Sequence, residues 1–157
     1  MRWHYRDAGL LWLFVPAYLI HLAEEWFAGF PVWIGSIIGN PLPAIAYIVI
    51  NGIAFALLVA GIRAAIRSER YGWVAVAVAT VTLVNTVAHV AGAALTRSYS
   101  PGLVSAVLLY VPLGTLTMIR AMDQASAQMT RGILAGLLIH AAVFAAAFMS
   151  ARMAVLP

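Results

Sequence analysis

The sequence predicts an all-α fold, a polytopic transmembrane helical bundle of about five spans with its N-terminus in the cytoplasm. Three observations lead there. Of 157 residues, 64% are hydrophobic and 9% charged, whereas soluble domains average roughly 45–50% and about 25%. The apolar residues form long runs instead of amphipathic stripes, and a helix rising about 1.5 Å per residue needs about 20 of them to cross a hydrocarbon layer of roughly 30 Å. The nine basic residues, all arginine, lie between these runs. The natural count is one membrane-embedded domain over residues 1–157.

The first run, 8–28, follows Arg2 and Arg6. Such a start also opens a signal peptide, but no small-residue cleavage site with a polar region beyond it appears, so the run reads as an uncleaved first helix. Pro16 inside it removes a backbone donor and favours a kink. Residues 26–40 carry Trp26, Phe27, Phe30 and Trp33 among glycines and prolines, with no charge. This composition suits headgroup depth, either as an aromatic belt or as a shallow re-entrant turn roofing a site. The second span, 41–62, holds Asn51, expected to bond between helices. The third, 71–95, is alanine-rich and favours close packing. The fourth, 101–119, contains a second kinking proline, Pro112. In the fifth, 132–151, Gly132 and Gly136 form a small-xxx-small pair that lets backbones approach. Tyr18, Tyr110 and His140 read as packing residues.

Arginine placement tests the count, because cytoplasmic loops are enriched in basic residues. Five spans put Arg2, Arg6, Arg63, Arg67, Arg70, Arg120 and Arg131 on one side and only Arg97 and Arg152 on the other. The N-terminus is therefore expected in the cytoplasm and the C-terminus outside. A net charge of +4 does not imply a nucleic-acid partner, since the arginines form no patch interleaved with stacking aromatics. The lipid bilayer is the expected partner, and oligomeric state is not legible. The lack of cysteine excludes disulfides, thiolate metal sites and a cysteine nucleophile.

The chemistry-bearing residues fall in two strings. The first is His21-Leu22-Ala23-Glu24-Glu25. At about 100° per residue, Glu24 and Glu25 lie roughly 60° to one side and 40° to the other of His21, so all three share one face. The third span carries Asn85 and His89, four residues apart, flanked by Thr82 and Thr86. Measured from the cytoplasmic ends, His21 and Glu25 lie about 20 and 25 Å up, Asn85 and His89 about 20 and 26 Å. The two polar faces therefore meet at one depth near the extracytoplasmic face. Ionisable side chains there are expected to face protein or water, not lipid. Tyr99, Pro101 and Gly102 follow in the outer loop above.

His21-x-x-Glu24-Glu25, Asn85-x-x-x-His89 and Tyr99-x-Pro101-Gly102 together closely resemble the three motifs of the HXXEE domain family of small multispanning membrane proteins. The resemblance implies an integral membrane enzyme without an assigned reaction. With the helical architecture it also implies the plasma (inner) membrane, since outer-membrane proteins are normally barrels.

Two neutral imidazoles and one carboxylate make a catalytic metal site with an open position, leaving a second carboxylate as general base. His21, Glu25 and His89 are the expected ligands, zinc ahead of iron. Glu24 would then handle the proton, although the two glutamates can exchange roles. Asn85 would orient a ligand or polarise a carbonyl, with Tyr99 beside it in the catalytic group. Pro101 and Gly102 would shape the substrate entrance. The reading is a metal-dependent, hydrolase-like membrane enzyme acting on a lipidic or membrane-partitioned substrate. Its rival is a metal-free small-molecule or proton-coupled carrier, in which His21 and a protonated glutamate relay protons.

Overall fold

A computed structural model describes residues 5–122 and 126–154. Among them the chain is all helical, with five helical stretches long and apolar enough to cross a membrane: Ala8–Phe27, Ala44–Arg67, Glu69–Thr96, Leu103–Ala121 and Ala127–Met153. The second runs five residues past the expected end and the fifth starts five earlier. Arginine and glutamine are good helix formers, and arginine stems extend along apolar surface while the guanidinium stays in water. Polarity therefore did not end either helix.

The first span consists of α1 (Tyr5–Trp12) and α2 (Phe14–Phe27), interrupted at Leu13. Pro16 accounts for the break: it has no N–H to give the carbonyl four residues earlier, and the Leu13 amide is shared between Gly9 and Leu10. Two short helices follow, α3 (Phe30–Trp33) and α4 (Gly35–Ile38). They are hinged at Gly29 and Gly39, both with positive φ. The second span is α5 (Ala44–Arg67) and the third α6 (Gly72–Thr96). The fourth opens with α7 (Leu103–Ser105), passes through a π turn (Ala106–Tyr110) and continues as α8 (Val111–Ala121). The last helix is α9 (Ser126–Met153).

Helix α6 is the hub. Helix α9 lies parallel to it, and Gly132 and Gly136 make this possible. A Cβ at Gly132 would stand 2.6 Å from the Trp73 carbonyl oxygen, and one at Gly136 would stand 2.8 Å from that of Ala77. Both positions thus have the packing role expected of them. At the arginine-poor end, Ile34, Ile38, Leu42, Tyr47 and Ala151 form a buried cluster. It ties the 26–40 connection to the ends of α5 and α9. A second cluster, with Leu11, Phe14, Ile62, Ala65 and Ala75, closes the opposite half.

Candidate metal centre

His21 and Glu25 lie one turn apart on the buried face of α2, and His89 lies on the buried face of α6. Their relative exposures are 2%, 5% and 3%. One ligand atom from each lies within 4.8 Å of the others, a group able to hold a metal ion. Glu25 Oε1 is 3.6 Å from His21 Nε2 and 3.4 Å from His89 Nε2. Two ligands each about 2.0–2.1 Å from one ion in tetrahedral array stand about 3.3 Å apart. The two spacings match that expectation.

Both imidazoles are oriented through their other nitrogen. His21 Nδ1 lies 2.9 Å from Ser105 Oγ, whose hydroxyl donates to the Gly102 carbonyl at 3.3 Å. With the serine proton given to Gly102, the serine oxygen accepts from Nδ1–H and Nε2 is the unprotonated nitrogen of the ring. His21 Nε2 is fully buried without a hydrogen-bond partner. Such an atom bears the whole cost of lost solvation unless something binds it. His89 Nδ1 lies 2.9 Å from Ser100 Oγ, and the Tyr47 hydroxyl donates to Glu25 Oε2 at 2.9 Å. Each of the three side chains thus has an outer hydrogen bond of the kind that fixes metal ligands.

Glu24 points elsewhere. Its carboxylate accepts the Val104 amide at 2.9 Å, the Ser105 amide at 2.7 Å and the Tyr99 hydroxyl. These amides open the fourth span, so Glu24 ties the end of α2 to the loop between the third and fourth spans. Burial and then the Glu24 carboxylate push the Tyr99 phenol up to about 12. Tyr99 therefore stays a donor at neutral pH.

That loop delivers Gly102 onto the ligands. At φ +98°, a Cβ there would lie 2.8 Å from the Cε1 atoms of both His21 and His89 and 2.9 Å from Glu25 Cγ. Ser100, Pro101 and Gly102 are all buried, and the turn packs on the His21–Glu25–His89 group. Phe30 reaches the same place from the 26–40 connection, its ring 5.9 Å from that of His89. Asn85 is half-buried one turn below His89, and its Oδ1 is buried without a partner.

Sequence reasoning did not single out Tyr47, Ser100 or Ser105, and it gave Tyr110 only a packing role. The serines flank Pro101 and Gly102 and carried no periodic signal. Tyr47 sits on a different span, with nothing in the sequence to set its register. Asn51 bonds between helices as expected, accepting from the Tyr18 hydroxyl at 3.0 Å. His140 is half-buried on α9, outside the His21–Glu25–His89 group. A shallow groove on α9 at Thr130, Arg131 and Leu134 lies near the opposite end of the bundle.

The fold and site define a class: a helical protein with five candidate membrane spans and a buried histidine–glutamate–histidine group under a glycine turn. The profile of a family described as "protein of unknown function with HXXEE motif" matches residues 12–117, which take in most of the first four spans and every residue of the site. The chain belongs to that family. No curated protein and no solved structure matched it.

Proposed function

We propose that this protein is a membrane-embedded, metal-dependent enzyme of hydrolase-like chemistry, its ion held by His21, Glu25 and His89. Zinc is the first candidate and iron the second, and the substrate is lipidic or membrane-partitioned. The observation that carries this reading is His21 Nε2, buried and without a hydrogen-bond partner, 3.6 Å from Glu25 Oε1. The donor set fits, since two imidazoles and one carboxylate are an established catalytic zinc set that leaves a position open. A divalent ion bound there supplies Lewis acidity toward a carbonyl or phosphoryl oxygen and acidifies water.

The chain's own residues hold and shield that position. Ser105 and Ser100 orient the two imidazoles, and Tyr47 holds the second oxygen of Glu25. Glu24, in place of carrying the proton, clasps the 99–105 segment so that Gly102 closes the site toward that end of the bundle. Pro101 and Gly102 thereby act as the cover past which a substrate must come. With the arginine-rich end cytoplasmic, the site lies at the extracytoplasmic leaflet of the plasma membrane.

Elemental analysis of detergent-purified wild type, His21→Ala and His89→Ala tests the reading. One equivalent of metal in wild type, lost from both folded variants, is expected. Folded, metal-free wild type from metal-replete buffer overturns it.

A further inference from the structure

Five buried side-chain atoms have no hydrogen-bond partner among the described residues: His21 Nε2, Trp73 Nε1, Asn85 Oδ1, Tyr110 OH and Thr117 Oγ1. Two of them belong to rings packed on each other. The Tyr110 ring centroid is 4.7 Å from that of His21, and Tyr110 is 2% exposed. A phenylalanine would fill this volume without the cost of desolvating a hydroxyl. The hydroxyl therefore calls for a partner of its own.

The backbone that presents Tyr110 is unusual. The π turn Ala106–Tyr110 is a rare form that appears mostly as single turns and frequently at functional sites. It ends just before Val111 and Pro112. A proline cannot supply the N–H that a continuous α-helix needs at its position. The Thr86 hydroxyl reaches the turn from α6, 3.2 Å from the Ala106 carbonyl and 3.0 Å from that of Thr82, which share its one proton. Tyr110 packs with Ala17, one turn before His21 on α2, whereas the Gly102 turn meets the ligands from the 99–105 loop. Tyr110 and the glycine turn thus bound the ligand set from different sides.

We propose that Tyr110 is a ligand-binding residue of this site: its hydroxyl donates a hydrogen bond to an oxygen of an exogenous ligand seated at the His21–Glu25–His89 group. The inference rests on the metal reading above. The ligand class is a carboxylate or the acyl oxygen of an ester, a group that brings an acceptor to both the ion and the phenol. The bare His21 nitrogen and the free Tyr110 hydroxyl are then satisfied in one event, the nitrogen by the ion and the hydroxyl by the ion's ligand.

The test uses the full-length protein in detergent, loaded with cobalt(II), whose visible spectrum reports coordination, and titrated with acetate. Tyr110→Phe is expected to load cobalt with wild-type stoichiometry. Its acetate affinity is expected to fall about tenfold, the loss of one hydrogen bond to a charged acceptor. Equal acetate affinity in the two proteins overturns the assignment and leaves the metal reading standing, as does wild type that loads cobalt but takes no acetate. Wild type that loads no cobalt overturns both. If Tyr110→Phe fails to fold, fluorotyrosine placed at position 110 keeps ring and hydroxyl. Its fluorine resonance should move on adding acetate to the zinc-loaded protein, and a fixed resonance refutes the contact.

Discussion

Gly102→Ala separates crowding of the ligand set from ordinary backbone strain. The added Cβ would lie 2.8 Å from two imidazole carbons and 2.9 Å from Glu25 Cγ, against a preferred carbon–carbon separation of about 3.5–4.0 Å. Either the loop or all three ligands must therefore move by about 0.6 Å or more. Metal sites tolerate deviations of about 0.2 Å in ligand distance, so zinc affinity should drop roughly 10- to 100-fold, as when outer supports of a metal site are removed. The left-handed φ adds about 1–2 kcal/mol of strain. Gly39→Ala is the matched control, since φ is +95° there and a Cβ would meet nothing within 4 Å. It should lower the melting temperature and leave zinc affinity alone. Competition of purified protein with a chromogenic chelator, alongside thermal melts, reads both quantities. Wild-type zinc affinity in folded Gly102→Ala would refute the packing of this turn on the ligands.

Four further outcomes follow from the same geometry. Ser105→Ala and Ser100→Ala each leave a buried imidazole Nδ1 without its partner and should weaken zinc binding about 10- to 100-fold, read by the same competition. Tyr47→Phe frees Glu25 Oε2 and should act in the same direction with little change in fold. Glu24→Gln exchanges a charged acceptor of two amides and a phenol for a neutral one, and should destabilise the protein by about 1–3 kcal/mol, seen in thermal melts. For Tyr99 the folded-state pKa, about 12, lies above the ordinary value of about 10. Its contribution is therefore complete below pH of about 10 and is lost as pH rises toward 12. Wild type should lose its stability margin over Tyr99→Phe as pH rises across that window, as melts across the range will show.

The five apolar runs were legible because hydropathy over about 20 residues is a strong signal, and His21, Glu25 and His89 because ionisable residues in such runs are rare. Helix ends were less so, since Arg63 and Arg67 sit as readily at the end of a helix as beyond it. The π turn before Pro112 has no signature that separates it from the kink the proline predicts. Tyr110 reads as a packing aromatic and Tyr47 carries no signal of its own, because their hydroxyls acquire meaning only once rotation and register between spans are known. Ser100 and Ser105 became interpretable only with the loop folded back on the ligands.

The paired glutamates show how such register decides roles. Successive residues on a helix diverge by about 100°, so two adjacent carboxylates facing one centre would both need to bend toward it. Glu24 and Glu25 instead serve opposite sides of the His21 azimuth. Glu25 turns inward to the two imidazoles, and Glu24 turns to the amides of Val104 and Ser105. The second task supports the first. Ser105 belongs to the segment that Glu24 holds, and it orients the imidazole of His21. Gly102, in the same segment, packs on all three ligands. The spacing H-x-x-E-E therefore encodes a buried histidine–glutamate pair one turn apart together with the clasp that brings the outer loop onto it, and that loop supplies the Ser100 and Ser105 hydroxyls beside both imidazoles. Moving the clasp by one position would turn the carboxylate away from the loop and leave the ligands uncovered.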